Sequence, residues 1–514
     1  MTDSGTNLPR DFLWGVSTSA YQSEGGYNGP GQPRTNWARW EEKRRVAPTG
    51  RASDFWTRYE EDFRRVRELG LNAFRLGIEW SRIQPSYKDG KTQPPPFDMA
   101  ALEHYARMLV ACREQGLEPV LTLQHFVHPS WLGPDPWLDP ATPELFERYI
   151  STSIGFINES LIAAGHEPVR TLITINEPNM LVFNNYFGMQ FPAKAQPGLP
   201  SLSNAMNGLL CAHVRAYNCL HDLYASRGWG APAVAFNNYC SDLYWLDKFL
   251  LDLTVSADRG VPRSEVEDYI CKCRRKFDQA FRGADIPLRR DVPSFFGTMM
   301  KKMCNALGGE WFSAARFAPA LDAIYNSPRT RLMDFIGLDY YDPFAAHIFR
   351  LPVWWDHESK SRSLHDWVMN SVTAKWWDWS VLPSGMRFFC KHYTDDYQRP
   401  ILIAENGMAL RRRFNNEHFP RKDKLTRSEF IRAHVNEVER LAGEGLPIFG
   451  YLHWSLFDNY EWGSFTPRFG LYALDYQKGT DRLETDFLGD CPSQTYSSLV
   501  RAARQKQAAE TRVY

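Results

Sequence analysis

The sequence has no long apolar run and no net charge. No stretch of the 514-residue chain is long and uncharged enough to cross a bilayer, and Met1 to Leu8 has neither the basic start nor the apolar run of a secretory signal. The 60 Lys and Arg residues balance the 60 Asp and Glu residues, so no overall field attracts nucleic acid or an anionic membrane. We therefore predict a cytoplasmic protein that binds neither nucleic acid nor a membrane.

The nine cysteines lack the spacing of a disulfide framework or of a metal site. They are odd in number and scattered from Cys112 to Cys491, which favours reduced thiols in a chain of this size. The one tight pair, Cys271 and Cys273, has neither the Cys-x-x-Cys spacing nor a second pair to complete four ligands. We therefore expect no zinc site.

The chain also lacks a Pro/Ser-rich linker and any low-complexity tract, so we predict a single domain over residues 1–514. What recurs is one supersecondary unit, in which an amphipathic helix and a glycine precede a short β-branched run. Three copies are evident, with strand candidates at 72–79, 119–124 and 448–454 after Gly70, Gly116 and Gly445.

Five further strand candidates bring the count to eight; they are 12–20, 171–176, 233–237, 334–340 and 401–404. Eight strands that alternate with helices are typical of an α/β fold that closes into a (β/α)8 TIM barrel, here with long βα loops. Residues 241–330 are the least regular stretch. We predict that they form an extended insertion after the fifth strand.

Two glutamates follow predicted strands at the end where barrel enzymes keep their reacting groups. Glu177 follows the fourth strand and precedes Pro178, which should hold Glu177 extended and aim it off the strand end. Glu405 lies at the end of the seventh strand, where Gly407 permits a sharp exit. One such glutamate is usually solvated or paired, but two that face each other suit glycoside hydrolysis. Retaining enzymes hold the pair about 5 to 5.5 Å apart and inverting enzymes about 6.5 to 9.5 Å apart, and sequence leaves this distance open.

Several motifs in order resemble those of glycoside hydrolase family 1, the β-glucosidase family, over essentially the whole chain. They are Phe12-Leu-Trp-Gly15, Tyr21-Gln-Ser-Glu-Gly25, Phe74-Arg75 through Glu79-Trp-Ser-Arg-Ile83, Thr171 to Pro178, Ile403 to Gly407, and Trp454 to Trp462 with Arg468-Phe-Gly470. The resemblance implies a retaining β-glycosidase. Such an enzyme removes a terminal β-glucosyl, β-galactosyl or β-fucosyl residue from a small aglycone or a short oligosaccharide.

The resemblance also implies roles for the matching residues. Glu177 would be the general acid/base and Glu405 the nucleophile, with Arg75 and Tyr341 hydrogen-bonded to Glu405 to keep it ionised. The substrate-binding side chains would be Asn176 at the sugar 2-hydroxyl, Gln22, His125, Glu461 and Trp462 at the other hydroxyls, Trp454 under the ring and Trp379 on the leaving-group side. Without the resemblance, the tryptophans and His125 would be ordinary packing residues. No metal or organic cofactor is implied, the partner is a small β-glycoside, and the oligomeric state stays open.

Two departures from the family pattern stand close to these residues. Phe126 and Val127 follow His125, where the family has Trp-Asp, and Asp339 precedes the paired tyrosines, where the family has Asn. An ionised Asp339 would raise the pKa of both glutamates. A protonated Asp339, or one paired with an arginine, would not.

Two rival functions are a 6-phospho-β-glycosidase and a non-catalytic barrel that binds sugars. Glu461 disfavours the first, because a carboxylate repels a 6-phosphate. The presence of both Glu177 and Glu405 disfavours the second, because non-catalytic relatives usually lack one of the two carboxylates.

Overall fold

The computed structural model describes residues 11–88, 90–288, 292–348 and 364–511. The predicted domain of residues 1–514 and the predicted insertion of residues 241–330 both include positions outside these ranges. A single-domain organisation stays a prediction. No helix in these four ranges is both long and apolar enough to cross a membrane.

Eight parallel strands close into a barrel, which confirms the predicted (β/α)8 fold. The barrel strands are β1 (Leu13–Ser17), β2 (Ala73–Gly77), β3 (Glu118–Thr122), β4 (Thr171–Asn176), β5 (Ala233–Tyr239), β6 (Ile336–Tyr340), β7 (Ile401–Asn406) and β10 (Ile448–Trp454). They pair in chain order, and β10 pairs with both β7 and β1 to complete the ring. A small antiparallel sheet beside the barrel contains β8 (Leu410–Arg412), β9 (His418–Phe419) and β11 (Pro467–Arg468).

Helices follow the barrel strands and form the outer layer. They are α1 (Ala20–Ser23), α2 (Ala38–Glu42), α3 (Phe55–Glu68), α4 (Trp80–Ile83), α5 (Met99–Glu114), α6 (Thr142–Ala163), α7 (Pro178–Tyr186), α8 (Leu199–Arg227), α9 (Lys248–Thr254), α10 (Val266–Gly283), α11 (Val292–Trp311), α12 (Ala318–Tyr325), α13 (Ala345–Ile348), α14 (Leu364–Val372), α15 (Pro383–Tyr397), α16 (Arg427–Gly443) and α17 (Pro492–Thr511). Thr426 and Glu429 form a capping box at the start of α16.

Side chains of the barrel strands fill the centre of the barrel. A separate apolar cluster contains Ala73, Val120, Ile173, Ala235, Phe335, Leu402, Ala404 and Leu452, all on or next to barrel strands. Because side chains alternate along a strand, Arg75 points the same way as Ala73 but lies nearer the carboxyl end. The apolar cluster therefore supports a polar layer above it, where the candidate site lies.

The described residues between β5 and β6 contain the helices α9, α10, α11 and α12. Lys248 on α9 is buried and pairs with Asp252 (2.8 Å) on the same helix and with Asp396 (2.7 Å) on α15. This ion-pair cluster ties the segment to the helical layer of the barrel. The nine cysteines are all free thiols, and three of them, Cys112, Cys240 and Cys390, are buried.

Candidate active site

Glu405 is a buried carboxyl group that receives hydrogen bonds on both oxygens. Arg75 Nη1 donates to Oε1, and the Tyr341 hydroxyl donates to Oε2 at 2.8 Å. Burial raises the pKa of Glu405, whereas the positive charge of Arg75 and the two donated hydrogen bonds act in the opposite direction. Arg75 and Tyr341 thus contact Glu405 as predicted. They favour its charged form.

Glu177 differs from the sequence expectation in its backbone. It was expected to be extended before Pro178, but its φ and ψ are 38° and 63°, in the left-handed region. The chain has to turn here from β4 into α7, and the Glu177 N–H donates to the Asn237 carbonyl at 2.9 Å, which holds the turn. The left-handed turn, rather than an extended backbone, directs the Glu177 side chain.

The carboxyl groups of Glu177, Asp339 and Glu405 are close together. One oxygen from each lies within 4.8 Å of the others. Burial first and then the charge of Glu405 raise the pKa of Glu177 well above its ordinary value. Because Glu405 has Arg75 as its counter-ion, Glu405 is the more easily ionised of the two glutamates.

Asn176 connects the strand ends around Glu405. Its Oδ1 accepts hydrogen bonds from Arg75 and from Asn237, and its Nδ2 lies 3.3 Å from His125 Nε2. Burial, together with the charge of Arg75, lowers the pKa of His125 well below its usual value, so the imidazole is neutral. Its Nδ1 is buried and has no partner within the described ranges.

Glu461 lies across the site from this network, in the loop after β10. Its oxygens accept hydrogen bonds from Trp454 Nε1 (3.1 Å) and Gln22 Nε2 (3.0 Å). Burial raises the pKa of Glu461 to about 8, and the donated hydrogen bonds only partly oppose this rise. Each oxygen accepts one of these bonds and has a second lone pair, so the carboxyl group can also accept from a bound hydroxyl.

Aromatic rings form two walls of the site. The His125 ring stacks between Trp454 and Trp462, with interplanar angles of 19° and 16°. Trp379 contacts Tyr341, with ring centroids 5.4 Å apart, and also approaches Tyr239. Hydrogen bonds, ring contacts and short separations therefore connect all eleven predicted site residues at the carboxyl end of the barrel.

Sequence reasoning missed Asn237 and Asn459. Asn237 donates to Asn176 and to Asp339, and Asn459 lies 3.4 Å from Gln22. Asn237 had a signal, because it is the polar residue at the end of the predicted fifth strand.

The three clustered carboxyl groups are also the one set of acidic, His or Cys side chains in the described residues that is compact enough for a metal ion. The Arg75 guanidinium already supplies a positive charge to Glu405 in this set. A metal ion beside it would be repelled by the guanidinium, so we infer no metal site here.

Replacing Glu461 by glutamine should make the protein relatively more stable at alkaline pH. A folded pKa of about 8 lies above the ordinary value of 4.5, so the parent's stability is highest below the ordinary pKa and falls as pH rises through about 8. Glutamine cannot ionise. The parent should therefore lose more stability than E461Q between pH 5 and pH 9. Measured by calorimetry, the difference in melting temperature, E461Q minus parent, should be greater at pH 9 than at pH 5 by about 2 °C or more. An equal difference at both pH values would contradict the raised pKa.

Comparisons with known proteins identify the family of the chain. A sequence model of glycosyl hydrolase family 1 matches residues 4–241 and 292–486, which together are more than half of the chain. The chain belongs to glycosyl hydrolase family 1. It is therefore a glycoside hydrolase with β-glycosidase activity on small sugar substrates.

Similar proteins differ in the substrate that their names specify. The chain is 24% identical over 493 residues to a 6-phospho-beta-galactosidase of Clostridium acetobutylicum, covering 92% of this chain and 93% of that protein. It is 26% identical over 490 residues to a beta-glucosidase of Agrobacterium sp., covering 93% and 94%. A solved beta-glucosidase of Thermotoga maritima in complex with noeuromycin shares the fold, with a TM-score of 0.67, 20% identity and coverage of 96% and 99%.

Proposed function

We propose that the protein is a retaining β-glycosidase that removes a terminal, unphosphorylated β-D-glucosyl residue, or a β-galactosyl or β-fucosyl residue, from a small aglycone or a short oligosaccharide. The observation that carries this proposal is the short separation of the Glu177 and Glu405 carboxyl oxygens, within 4.8 Å. That closeness is nearer to the separation of about 5 to 5.5 Å in retaining enzymes than to the about 6.5 to 9.5 Å of inverting enzymes, and it favours direct attack by one carboxylate.

In the first step Glu405 attacks the anomeric carbon while Glu177 gives its proton to the leaving oxygen. The bond between the sugar and the aglycone breaks, and a covalent glycosyl-enzyme forms. In the second step Glu177, now a carboxylate, takes a proton from water as the water attacks the same carbon. The different surroundings of the two glutamates support these two roles. Arg75 provides a counter-ion for Glu405, whereas burial keeps Glu177 protonated.

The remaining predicted residues would hold the sugar. Asn176 lies beside both Arg75 and His125, a position suited to the 2-hydroxyl group. Gln22, His125, Glu461 and Trp462 would bond the other hydroxyl groups, and Trp454 would lie under the apolar face of the ring. Trp379, on the far side of Tyr341, would contact the leaving group. Hydrogen bonds to the hydroxyls strengthen as positive charge develops on the sugar in the transition state.

The 6-phospho activity of one relative is the competing substrate class. The groups that bond to Glu461 are Gln22, Trp454 and Asn459, none of which carries a positive charge. A 6-phosphate placed there would be buried with no positive charge from these groups to pair with it, which is unfavourable. A neutral 6-hydroxyl can donate to Glu461 instead.

Unphosphorylated substrates should therefore be preferred. We expect kcat/KM for nitrophenyl β-glucoside to exceed that for its 6-phosphate by at least about tenfold, or roughly 1.4 kcal/mol of transition-state binding. A panel of nitrophenyl β-glucoside, galactoside and fucoside with their 6-phosphates, assayed on purified protein, measures this. A preference for the phosphates would overturn the substrate assignment. Absence of turnover with every member would favour a non-catalytic sugar-binding protein.

A further inference from the structure

Asp339 is a buried carboxyl group in the centre of the site that the proposed reaction does not use. It lies on β6 directly beside Glu405 on β7. Asn237 Nδ2 donates to Asp339 Oδ2, whereas Oδ1 is buried and receives no hydrogen bond from any described residue. A buried carboxylate oxygen without a donor is costly, but the same oxygen is satisfied when it carries a proton and donates it.

Glu177 is the acceptor for such a proton. In the described part of the chain, no N–H group, hydroxyl or guanidinium donates to the Glu177 carboxyl, and an Asp339 carboxyl oxygen lies within 4.8 Å of one of its oxygens. Ionised carboxylates only accept hydrogen bonds, so two carboxyl groups can bond to each other only when at least one is protonated. A hydrogen bond between the Glu177 and Asp339 carboxyl groups therefore requires a proton on one of them.

The charges that face the pair indicate that Asp339 keeps its proton. The titratable and charged groups facing it from the surrounding elements are Arg75 on β2, Tyr239 and Cys240 at the end of β5, Tyr341 after β6, Glu405 on β7 and Glu461 after β10. Burial raises the pKa of each tyrosine and of the cysteine, so these groups stay neutral. Arg75 is the one cation among them and is already paired with Glu405. Burial, followed by the charge of Glu405, raises the pKa of Asp339 well above its ordinary value.

We propose that Asp339 is a positioning residue that donates a hydrogen bond from its protonated Oδ1 to Glu177. This inference rests on the double displacement proposed above. When the glycosidic bond breaks and Glu177 gives its proton to the leaving oxygen, Asp339 keeps its own proton and donates to the new carboxylate. An O–H donor to a carboxylate makes a bond about twice as strong as a neutral one. When water attacks, its proton passes to Glu177, and Asp339 is unchanged.

The asparagine that the family pattern has at this position offers an amide donor in the same place, and an amide is weaker than a carboxylic acid. D339N should therefore raise the pKa of Glu177. The alkaline limb of kcat/KM, which reports loss of the Glu177 proton, should move up by about 0.5 to 1 pH unit. The acid limb reports Glu405, which faces a neutral group in both proteins, and should stay within about 0.2 unit. Nitrophenyl β-glycoside is the substrate.

Other outcomes overturn the proposal. If both limbs move to lower pH, Asp339 is ionised in the parent and its charge has been removed. If neither limb moves in a folded variant, Asp339 has only a structural role. D339S serves as a second variant, because serine keeps a hydroxyl donor but cannot titrate, and it too should raise the alkaline limb.

Infrared difference spectra test the proton without turnover, so they separate a failure of this proposal from a failure of the proposed reaction. At pH 7, the parent spectrum minus that of D339N or D339S should contain the carbonyl stretch of a protonated carboxylic acid. A carboxylate band in its place would overturn the proposal, even if the enzyme turns over as proposed. Conversely, the acid band would persist if turnover proved to follow another mechanism.

Discussion

Azide added to Glu177→Ala should restore release of an activated aglycone and yield the β-glycosyl azide. Loss of a general acid/base lowers rates by about 10² to 10⁴-fold, and the second step suffers because no base activates water. A nitrophenolate leaves without a proton, so the first step still forms the intermediate on Glu405. Azide is already anionic and fits where the carboxylate was, so it attacks without a base. Two displacements at one carbon return the β configuration, which proton NMR of the product reads directly.

Glu405→Gly is the matched control, because it removes the other carboxylate of the pair. Turnover without azide should fall by at least about 10⁴-fold, since no covalent intermediate can form. Azide should then attack once from the face that Glu405 occupied, and the product should be the α-glycosyl azide. Recovery of the α-azide from Glu177→Ala, or of the β-azide from Glu405→Gly, would reverse the two assignments.

The periodic parts of the fold could be predicted because they depend on local sequence. Gly70, Gly116 and Gly445 each end a helix with positive φ, as expected of a glycine between an amphipathic helix and a strand. The strand cores were also predicted, although their ends were not: the first strand candidate, 12–20, is a strand only over Leu13–Ser17, because the chain turns into α1 at Ala20. Boundaries depend on where loops pack, which a local pattern does not contain.

For two residues, the backbone conformation expected from the adjacent sequence was wrong. Gly407 was expected to allow a sharp turn, but its φ is not positive. An added Cβ would lie 2.1 Å from the Trp454 carbonyl oxygen. Glycine is therefore required because the backbone at the end of β10 approaches so closely. Glu177 turns through the left-handed region because Asn237 on β5 holds its N–H. Both reasons involve residues far away in sequence, and neither could be read from the adjacent residues.

The protonation state of Asp339 also could not be predicted from the adjacent sequence. The sequence showed that Asp339 replaces an amide, but left open whether it is charged, neutral or paired with an arginine. The structure shows that Arg75 is paired with Glu405 and that Asn237 occupies one Asp339 oxygen. The protonation state of a buried group depends on its neighbours from four strands, so it follows only from the assembled barrel.

Replacing Arg75 by methionine should lower kcat/KM by about 10² to 10⁴-fold, because Glu405 loses the charge that keeps it ionised and the hydrogen bond that holds it in place. The guanidinium is fully buried, and its charge lowers the pKa of both Glu405 and Glu177. Loss of a positive charge favours the protonated form of a carboxyl group, so both pKa values rise. Both limbs of the kcat/KM profile should therefore move to higher pH, the acid limb further because Arg75 contacts Glu405 directly.

Two variants separate the charge of Arg75 from its hydrogen bonds. Arg75→Lys keeps the charge but loses the planar fork, so its limbs should move less than those of Arg75→Met. Tyr341→Phe removes one hydrogen bond to Glu405 without changing any charge, and should lower kcat/KM by about 10 to 150-fold with a smaller rise of the acid limb. These variants differ from D339N in the limb that moves, because in D339N only the alkaline limb should rise. An acid limb that stays in place in a folded Arg75→Met protein would mean that Glu405 does not set that limb, and the nucleophile would have to be sought among the other carboxyl groups of the site.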